Sequence, residues 1–482
     1  MTAGPLAESD RLWPFFHPER IAVVGASERG LYPAGLLRNL IDNGFTGALY
    51  PVNPGREMVF DLPCYPDLAQ TPHIPDLAIL VIPRRHVPPV LQQCIELGVK
   101  AVLIISAGFA EADDEGRRLQ AEITALLDGA TPAVIGPNCA GLANIPDRVV
   151  ATLLTTPPKA GAISLVSQSG ALMMALYGLF AERNLGLSHI VSLGNQVDVT
   201  LAESLLYLAQ EPQTAVIGAF VEGIRDGRMF VRALQEALLA GKPIVLVKSG
   251  RTAAGRAAAA THTAALAGSD RVFSAVCSQF GVIQVDDVDE MLDTIELLAA
   301  FGDRLSGRRL AIVTQSGGMG SLAADFCQRA GLELPPLSAA VQERLHALTA
   351  VLQFGDLGNP ADVRGAGAKG PALADTLQPF LEDEQFDMAL LLLAKSTLRA
   401  GEDETAEAII QAVQAAEKPL IVVWTGQRGR GEPGVEPATG LLREAGVPVF
   451  DSPGRAIRAA ARVADYRQFR TGWLAENRDS DA

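Results

Sequence analysis

Basic residues are in deficit: 40 Lys and Arg face 55 Asp and Glu, giving a formal charge of −15 and a pI near 5.0. A surface that acidic repels phosphate backbones and anionic lipid, which excludes a nucleic-acid-binding or peripheral-membrane protein while leaving room for a local small-anion pocket. Cysteines are few and odd in number: Cys64, Cys94, Cys139, Cys277 and Cys327, with no CxxC pair. Such a set provides neither a disulfide framework nor a structural zinc site, and fits a reducing, cytoplasmic compartment. The remaining His and Cys residues show no ligand spacing, so no metal is expected on this chain. The opening stretch MTAGPLAESDRLWPFF lacks a basic start followed by an apolar run, hence no secretory leader is visible. One uncharged stretch, 160–181, is long enough to span a bilayer, but its middle reads Ser-Gln-Ser-Gly and divides it into a strand-like and a helix-like half. It is expected to be soluble core.

The chain is 482 residues long with 48% apolar and 20% charged residues, enough for buried cores and about three domains. Short apolar runs recur at 21–25, 77–83, 101–106, 133–136, 162–166, 215–220, 243–247, 310–314, 388–393 and 420–424. They are continuous rather than alternating, the signature of strands covered on both faces in parallel sheets. Amphipathic helical segments lie between them, so the expected class is α/β, with three doubly wound domains at 1–150, 151–303 and 304–482. Pro-rich 155–161 suits a linker, the charged 302–309 precedes a fresh strand, and Gly-rich 355–370 predicts a long loop.

An internal echo accompanies this pattern. Leu165-Val166-Ser167-Gln168-Ser169-Gly170-Ala171 is answered by Ile312-Val313-Thr314-Gln315-Ser316-Gly317-Gly318. Each reads as strand, Gln-Ser-Gly turn, then helix. It is either reuse of a common turn or the mark of two related domains presenting equivalent turns to one site. A helix start offers unpaired N–H groups and a positive dipole end, so two facing starts would hold a phosphoryl group without a basic cluster.

Three further motifs bear on chemistry. Ile21-Ala22-Val23-Val24-Gly25-Ala26-Ser27 is a strand entering a small-residue turn, but GxGxxG is missing and the next strand, ending Val52-Asn53-Pro54, carries no acidic residue. A nicotinamide site is therefore disfavoured, and Arg56 is placed to receive a phosphate. His262 lies among alanines and glycines. It is either a polar spot on an Ala-rich helix or a nucleophile that accepts a phosphoryl group, since imidazole titrates near neutrality. Glu222 follows the strand 215–220 and is either paired with Arg225 or Arg228 or positioned to orient a histidine ring and stabilise its cation.

Together these motifs resemble, in order and from about Pro14 to about Arg467, the α subunits of nucleoside-diphosphate-forming acyl-CoA synthetases in the succinyl-CoA synthetase superfamily. They are VVGAS, YPVNP, IISAGF, IGPNC, LVSQSGAL, SLGNQVDV, VEGIRDGR, KSGRT, THTAALAGSD, VTQSGGMG and NPAD. The resemblance implies a Rossmann-like CoA-binding domain followed by two flavodoxin-like ligase domains. It places coenzyme A at Gly25, Ala26, Ser27, Asn53, Arg56, Ile82, Pro83, Ser106, Gly108 and Asn138. His262 matches the phosphorylated histidine and Glu222 its orienting carboxylate. Ser167, Ser169 and Gly170, with Gly317 and Gly318, match the phosphate-holding turns. The family converts a small carboxylic acid, CoA and a nucleoside triphosphate reversibly to acyl-CoA, nucleoside diphosphate and phosphate, by way of acyl phosphate and phosphohistidine. Two departures stand out: Ala264 replaces the usual Gly after His-Thr, and NPAD differs from the usual Asn-Pro-Val-Asp. No stretch resembles an ATP-grasp domain, so ATP or ADP with Mg²⁺ is expected on a separate β-type partner, in an α2β2 heterotetramer. The alternatives are a non-catalytic CoA- or acyl-CoA-binding regulator on the same scaffold, and, more weakly, an NAD(P)-linked oxidoreductase.

Overall fold

A computed structural model describes residues 10–129, 131–154, 156–262, 269–348, 357–363, 370–394, 402–425 and 438–478; for 258–262 it describes the backbone alone. Thr155, Ala264 and half of the Gly-rich stretch 355–370 thus lie outside the described residues, as does the side chain of His262. The chain forms two compact units, Met1–Val288 and Asp289–Ala482.

The first unit holds two large sheets and a two-stranded ribbon, Met58–Val59 with Leu62–Pro63. One large sheet is all parallel, in the order Ala48–Val52, Arg20–Val24, Leu77–Leu80, Ala101–Ile104, Ala133–Ile135. Successive residues of its strands feed two separate apolar clusters. Ile21, Val23, Ile79 and Leu103 face one side, while Ala22, Leu80, Val102 and Ile104 face the other. Burial of both faces explains why these strands read as unbroken apolar runs. The helices Leu31–Asp42, Val87–Leu97 and Asp114–Leu126 cross between its strands.

The second sheet runs Ile283–Val285, Ile244–Lys248, Val216–Val221, Ala160–Ser167, Leu187–Ser192, with Gly141–Asn144 and Val149–Thr152 added antiparallel at its edge. The hairpin 141–152 therefore belongs to this sheet. The uncharged stretch 160–181 splits as expected, into the strand Ala160–Ser167 and the helix Gly170–Glu182. Among the described residues, no helix is long and apolar enough to cross a membrane.

The second unit has one parallel sheet, ordered Ala361–Asp362, Leu310–Thr314, Met388–Ala394, Leu420–Thr425, Val449–Phe450. Counting only the parallel strands along the chain, the three large sheets share the order 2-1-3-4-5. Such sheets bind ligands where strands one and three diverge at their C-terminal ends, because the crossovers leave on opposite sides there. In the second sheet that point lies between Ala160–Ser167 and Val216–Val221. Ser167-Gln168-Ser169 and Glu222 are thereby brought side by side.

Candidate active site

The turn after Ala160–Ser167 is closed by its own hydroxyls. Ser167 Oγ donates to the Ser169 carbonyl at 2.7 Å and accepts from the Ser169 N–H at 3.1 Å. Ser169 Oγ caps the helix Gly170–Glu182 by accepting from Leu172 N–H at 3.4 Å. Ser167 is 1% exposed, so its hydroxyl shapes the turn, while the helix start itself faces open space. That space is a cavity of about 470 Å³ lined at one end by Gln168, Ser169, Gly170, Glu222 and Asn195. Tyr32, Ile105, Met174 and Ala171 provide its apolar wall. Gly194 at the rim has φ +57°, and a Cβ there would stand 2.2 Å from the Pro137 carbonyl oxygen; this close approach requires glycine.

Two residues not singled out from the sequence join the walls. Glu111 Oε1 accepts from the N–H groups of Gly108 (2.6 Å) and Phe109 (3.1 Å), and its Oε2 accepts from Asn195 Nδ2 at 2.6 Å. Asn195 Oδ1 in turn accepts from Asn138 Nδ2 at 3.3 Å. Burial alone would raise the Glu111 carboxyl, but the bonds from Asn195, Gly108 and Phe109 outweigh it and hold it below the usual carboxylate range. Glu111 therefore remains ionised and ties the loop after Ala101–Ile104 to the loop after Leu187–Ser192. Desolvation raises the Tyr32 phenol. Cys139, fully buried in the same wall, is pushed up to about 12 and is not a thiolate near neutral pH.

The expected CoA residues gather at the switch point of the first sheet. Gly25 has φ +90°, and a Cβ there would meet the Val81 carbonyl oxygen at 2.3 Å, so only glycine allows the two strand ends to meet. Asn53 Nδ2 donates to the Ala26 carbonyl at 2.9 Å, and Ser106 Oγ donates to the Ile82 carbonyl at 2.6 Å. Both side chains thus hold the loops that carry Ala26, Ser27, Ile82 and Pro83. Gly108 and Asn138, both at positive φ, continue the rim toward the cavity. Arg56 is partly exposed at the tip of the loop after Ala48–Val52. Arg225, considered above as a salt-bridge partner for Glu222, donates from Nη1 to the Gln196 carbonyl at 2.5 Å.

His262 ends the helix Ala253–His262, which follows the strand next to the one carrying Glu222. Gly317 and Gly318 open the helix Gly317–Ala330 in the other unit, after a turn built like the first. Thr314 Oγ1 donates to the Ser316 carbonyl at 3.0 Å and accepts from Ser316 N–H at 3.1 Å, and Ser316 Oγ caps Met319 N–H at 3.5 Å. The internal echo is thus one of geometry as well as letters.

A doubly wound first sheet with a small-residue turn, followed by a 2-1-3-4-5 sheet with a carboxylate beside a serine-capped helix start, is an α/β scaffold with an anion-binding corner at its switch point. Residues 19–145 match the family described as "CoA binding domain" and residues 160–298 the one described as "Succinyl-CoA ligase like flavodoxin domain". The chain is 32% identical over 474 residues to acetate–CoA ligase (ADP-forming) I subunit alpha of Pyrococcus furiosus, covering 96% of this chain and 98% of that one. It is 34% identical over 453 residues to acetate–CoA ligase (ADP-forming) I of Archaeoglobus fulgidus, of which it spans only 63%. Among solved structures, it is similar to the dinucleotide-forming acetyl-coenzyme A synthetase 1 of Ca. Korarchaeum cryptofilum in complex with phosphate and ADP. That match has a TM-score of 0.87 and 30% identity, covering 96% of this chain and 98% of that one. The chain belongs to the ADP-forming acetate–CoA ligase family of acid–thiol ligases, on the α-subunit side of those members with split chains.

Proposed function

We propose that this chain is the CoA-binding, phosphohistidine-bearing subunit of an ADP-forming carboxylate–CoA ligase. The observation that carries the reading is one 470 Å³ cavity bordered at once by a capped helix start, a carboxylate at a switch point and the rim residue Asn138 of the CoA-binding lobe. The CoA-binding turn at Gly25–Ser27, with Asn53, Arg56, Ile82, Pro83, Ser106 and Gly108, delivers the thioester into that cavity. Phosphate held at the start of the helix Gly170–Glu182 attacks the thioester carbonyl carbon; the C–S bond breaks, CoA leaves as thiolate and acyl phosphate forms. A ring nitrogen of His262 then attacks phosphorus, the P–O bond to the acyl group breaks, and the carboxylate leaves.

Glu222 accepts the other ring N–H of the histidine, which fixes the tautomer and stabilises the cationic phosphohistidine. The backbone N–H groups at Gly170 and Ala171 neutralise charge on the phosphoryl oxygens without rearrangement. Gly317 and Gly318 supply the equivalent N–H groups for the later transfer to a nucleoside diphosphate. A separate ATP-grasp partner is expected to bind that nucleotide with Mg²⁺ in an α2β2 assembly, in the cytoplasm. Support for a partner comes from the Pyrococcus furiosus relatives named as alpha subunits.

The test incubates the chain, with and without its partner, with [³²P]phosphate and a panel of acetyl-, 4-hydroxybutyryl- and feruloyl-CoA. Acid-labile, base-stable label on His262 is the expected result. No label from any of the three in the presence of the partner overturns the proposal.

A further inference from the structure

The residue between the two serines of the first turn is Gln168, which borders the cavity while its carboxamide is taken up by the backbone just past Val221. Its Oε1 accepts from the N–H groups of both Glu222 and Gly223, the latter at 3.0 Å, and its Nε2 donates to the Gly223 carbonyl at 2.7 Å. Its own N–H donates to the Phe220 carbonyl at 3.3 Å. Past Val221 the strand Val216–Val221 has left its pairing with Ala160–Ser167, so Glu222 and Gly223 need other partners for their backbone groups. One carboxamide supplies them, acting as acceptor and donor in the same plane, and at 8% exposure water does not compete for those bonds.

We propose that Gln168 is a positioning residue for phosphoryl transfer: it locks the backbone of Glu222 to the turn that starts the phosphate-holding helix. The inference rests on the role given to Glu222 under the proposed function. The distance from carboxylate to helix start is then set by a residue of the turn itself, so the two parts that must act together on one phosphoryl group cannot drift independently. Neither a carboxylate nor a thioether reproduces the clamp. Glutamate lacks the donor for the Gly223 carbonyl and adds charge beside Glu222; methionine has the length but neither function.

The experiment uses the full chain with its partner and compares wild type with Gln168→Met and Gln168→Glu in three readouts. These are the rate of His262 labelling, the affinity for CoA, and hydrogen exchange of the amides of 220–226. Both variants are expected to label at least ~10-fold more slowly while CoA affinity stays within about twofold, because the clamp acts on the chemical step. Gln168→Glu alone should move the pH dependence of labelling toward higher pH, since a second carboxylate raises the pKa of the first. The Glu222 and Gly223 amides should exchange faster in Gln168→Met, with the rest of the unit unchanged. Wild-type labelling and exchange in both variants would sink the clamp. A wild-type chain that never labels overturns the proposed function instead, and the exchange readout still decides whether Gln168 holds Glu222 in place.

Discussion

The turns Ser167–Gly170 and Thr314–Gly317 are built to one plan: a hydroxyl closing the turn on itself, a serine capping the next helix, and a glutamine whose N–H reaches the neighbouring strand. That last bond aligns Phe220 with Leu392, each accepting at 3.3 Å, and so puts Ala394 where the first turn has Glu222. The scaffold for holding an anion has been repeated; the carboxylate has not. Anion binding needs only backbone N–H groups and a dipole, which any sequence forming the turn provides, whereas fixing a histidine tautomer needs a specific side chain. Under the proposed function, the first turn is therefore the place where phosphohistidine is made, and the second only a place where a phosphoryl group is held.

His262→Ala gives the largest effect that sharpens this contrast, removing label and lowering turnover by at least ~10³-fold, because no other group takes its place as nucleophile. Glu222→Gln should slow labelling roughly 10²-fold, near the low end for a lost acid–base or electrostatic partner, while Ala394→Glu in the second turn leaves labelling within twofold. Rescue of E222Q by Ala394→Glu would break the assignment of unequal roles.

Acid should separate the two units. His189 lies on the strand beside the first turn, wholly buried, with Phe16 edge-on at 5.2 Å. Burial lowers its pKa to about 4; Glu211 and Asp147 pull it back up, and His17 and Lys242 add to the lowering. The folded value lies below the unfolded one near 6.5, so the unfolded state binds the extra proton first. The first unit accordingly keeps full stability above pH 6.5 and loses at most about 3 kcal/mol as pH falls toward 4. Unit-resolved hydrogen exchange against pH checks this, and His189→Phe should flatten the curve. The smallest effects come from the caps. Ser169→Ala and Ser316→Ala should each cost about 1 kcal/mol in their own unit, and a clearly unequal pair would show that the turns are not energetic equivalents.

Much of this was legible in advance. The apolar runs at 310–314 and 21–25 appear as the strands Leu310–Thr314 and Arg20–Val24, because strands buried on both faces leave an unmistakable continuous pattern. The shorter strands Ile283–Val285 and Val449–Phe450 gave no such signal, being two or three residues at sheet edges. Gln168 was visible only as a repeated letter in both turns, Asn195 only as one letter of the SLGNQVDV motif, and Glu111 had no local signal at all.

Local order alone thus decided that the chain is a series of doubly wound α/β lobes with serine-capped turns, since periodicity and capping depend on residues a few positions apart. Only the folded sheets decided that a glutamine grips backbone 54 and 55 residues away and that Asn195 bonds a carboxylate 84 residues earlier. Such pairs meet because crossovers bring strand ends together at a switch point, and sequence spacing carries no record of which side chains will face each other there.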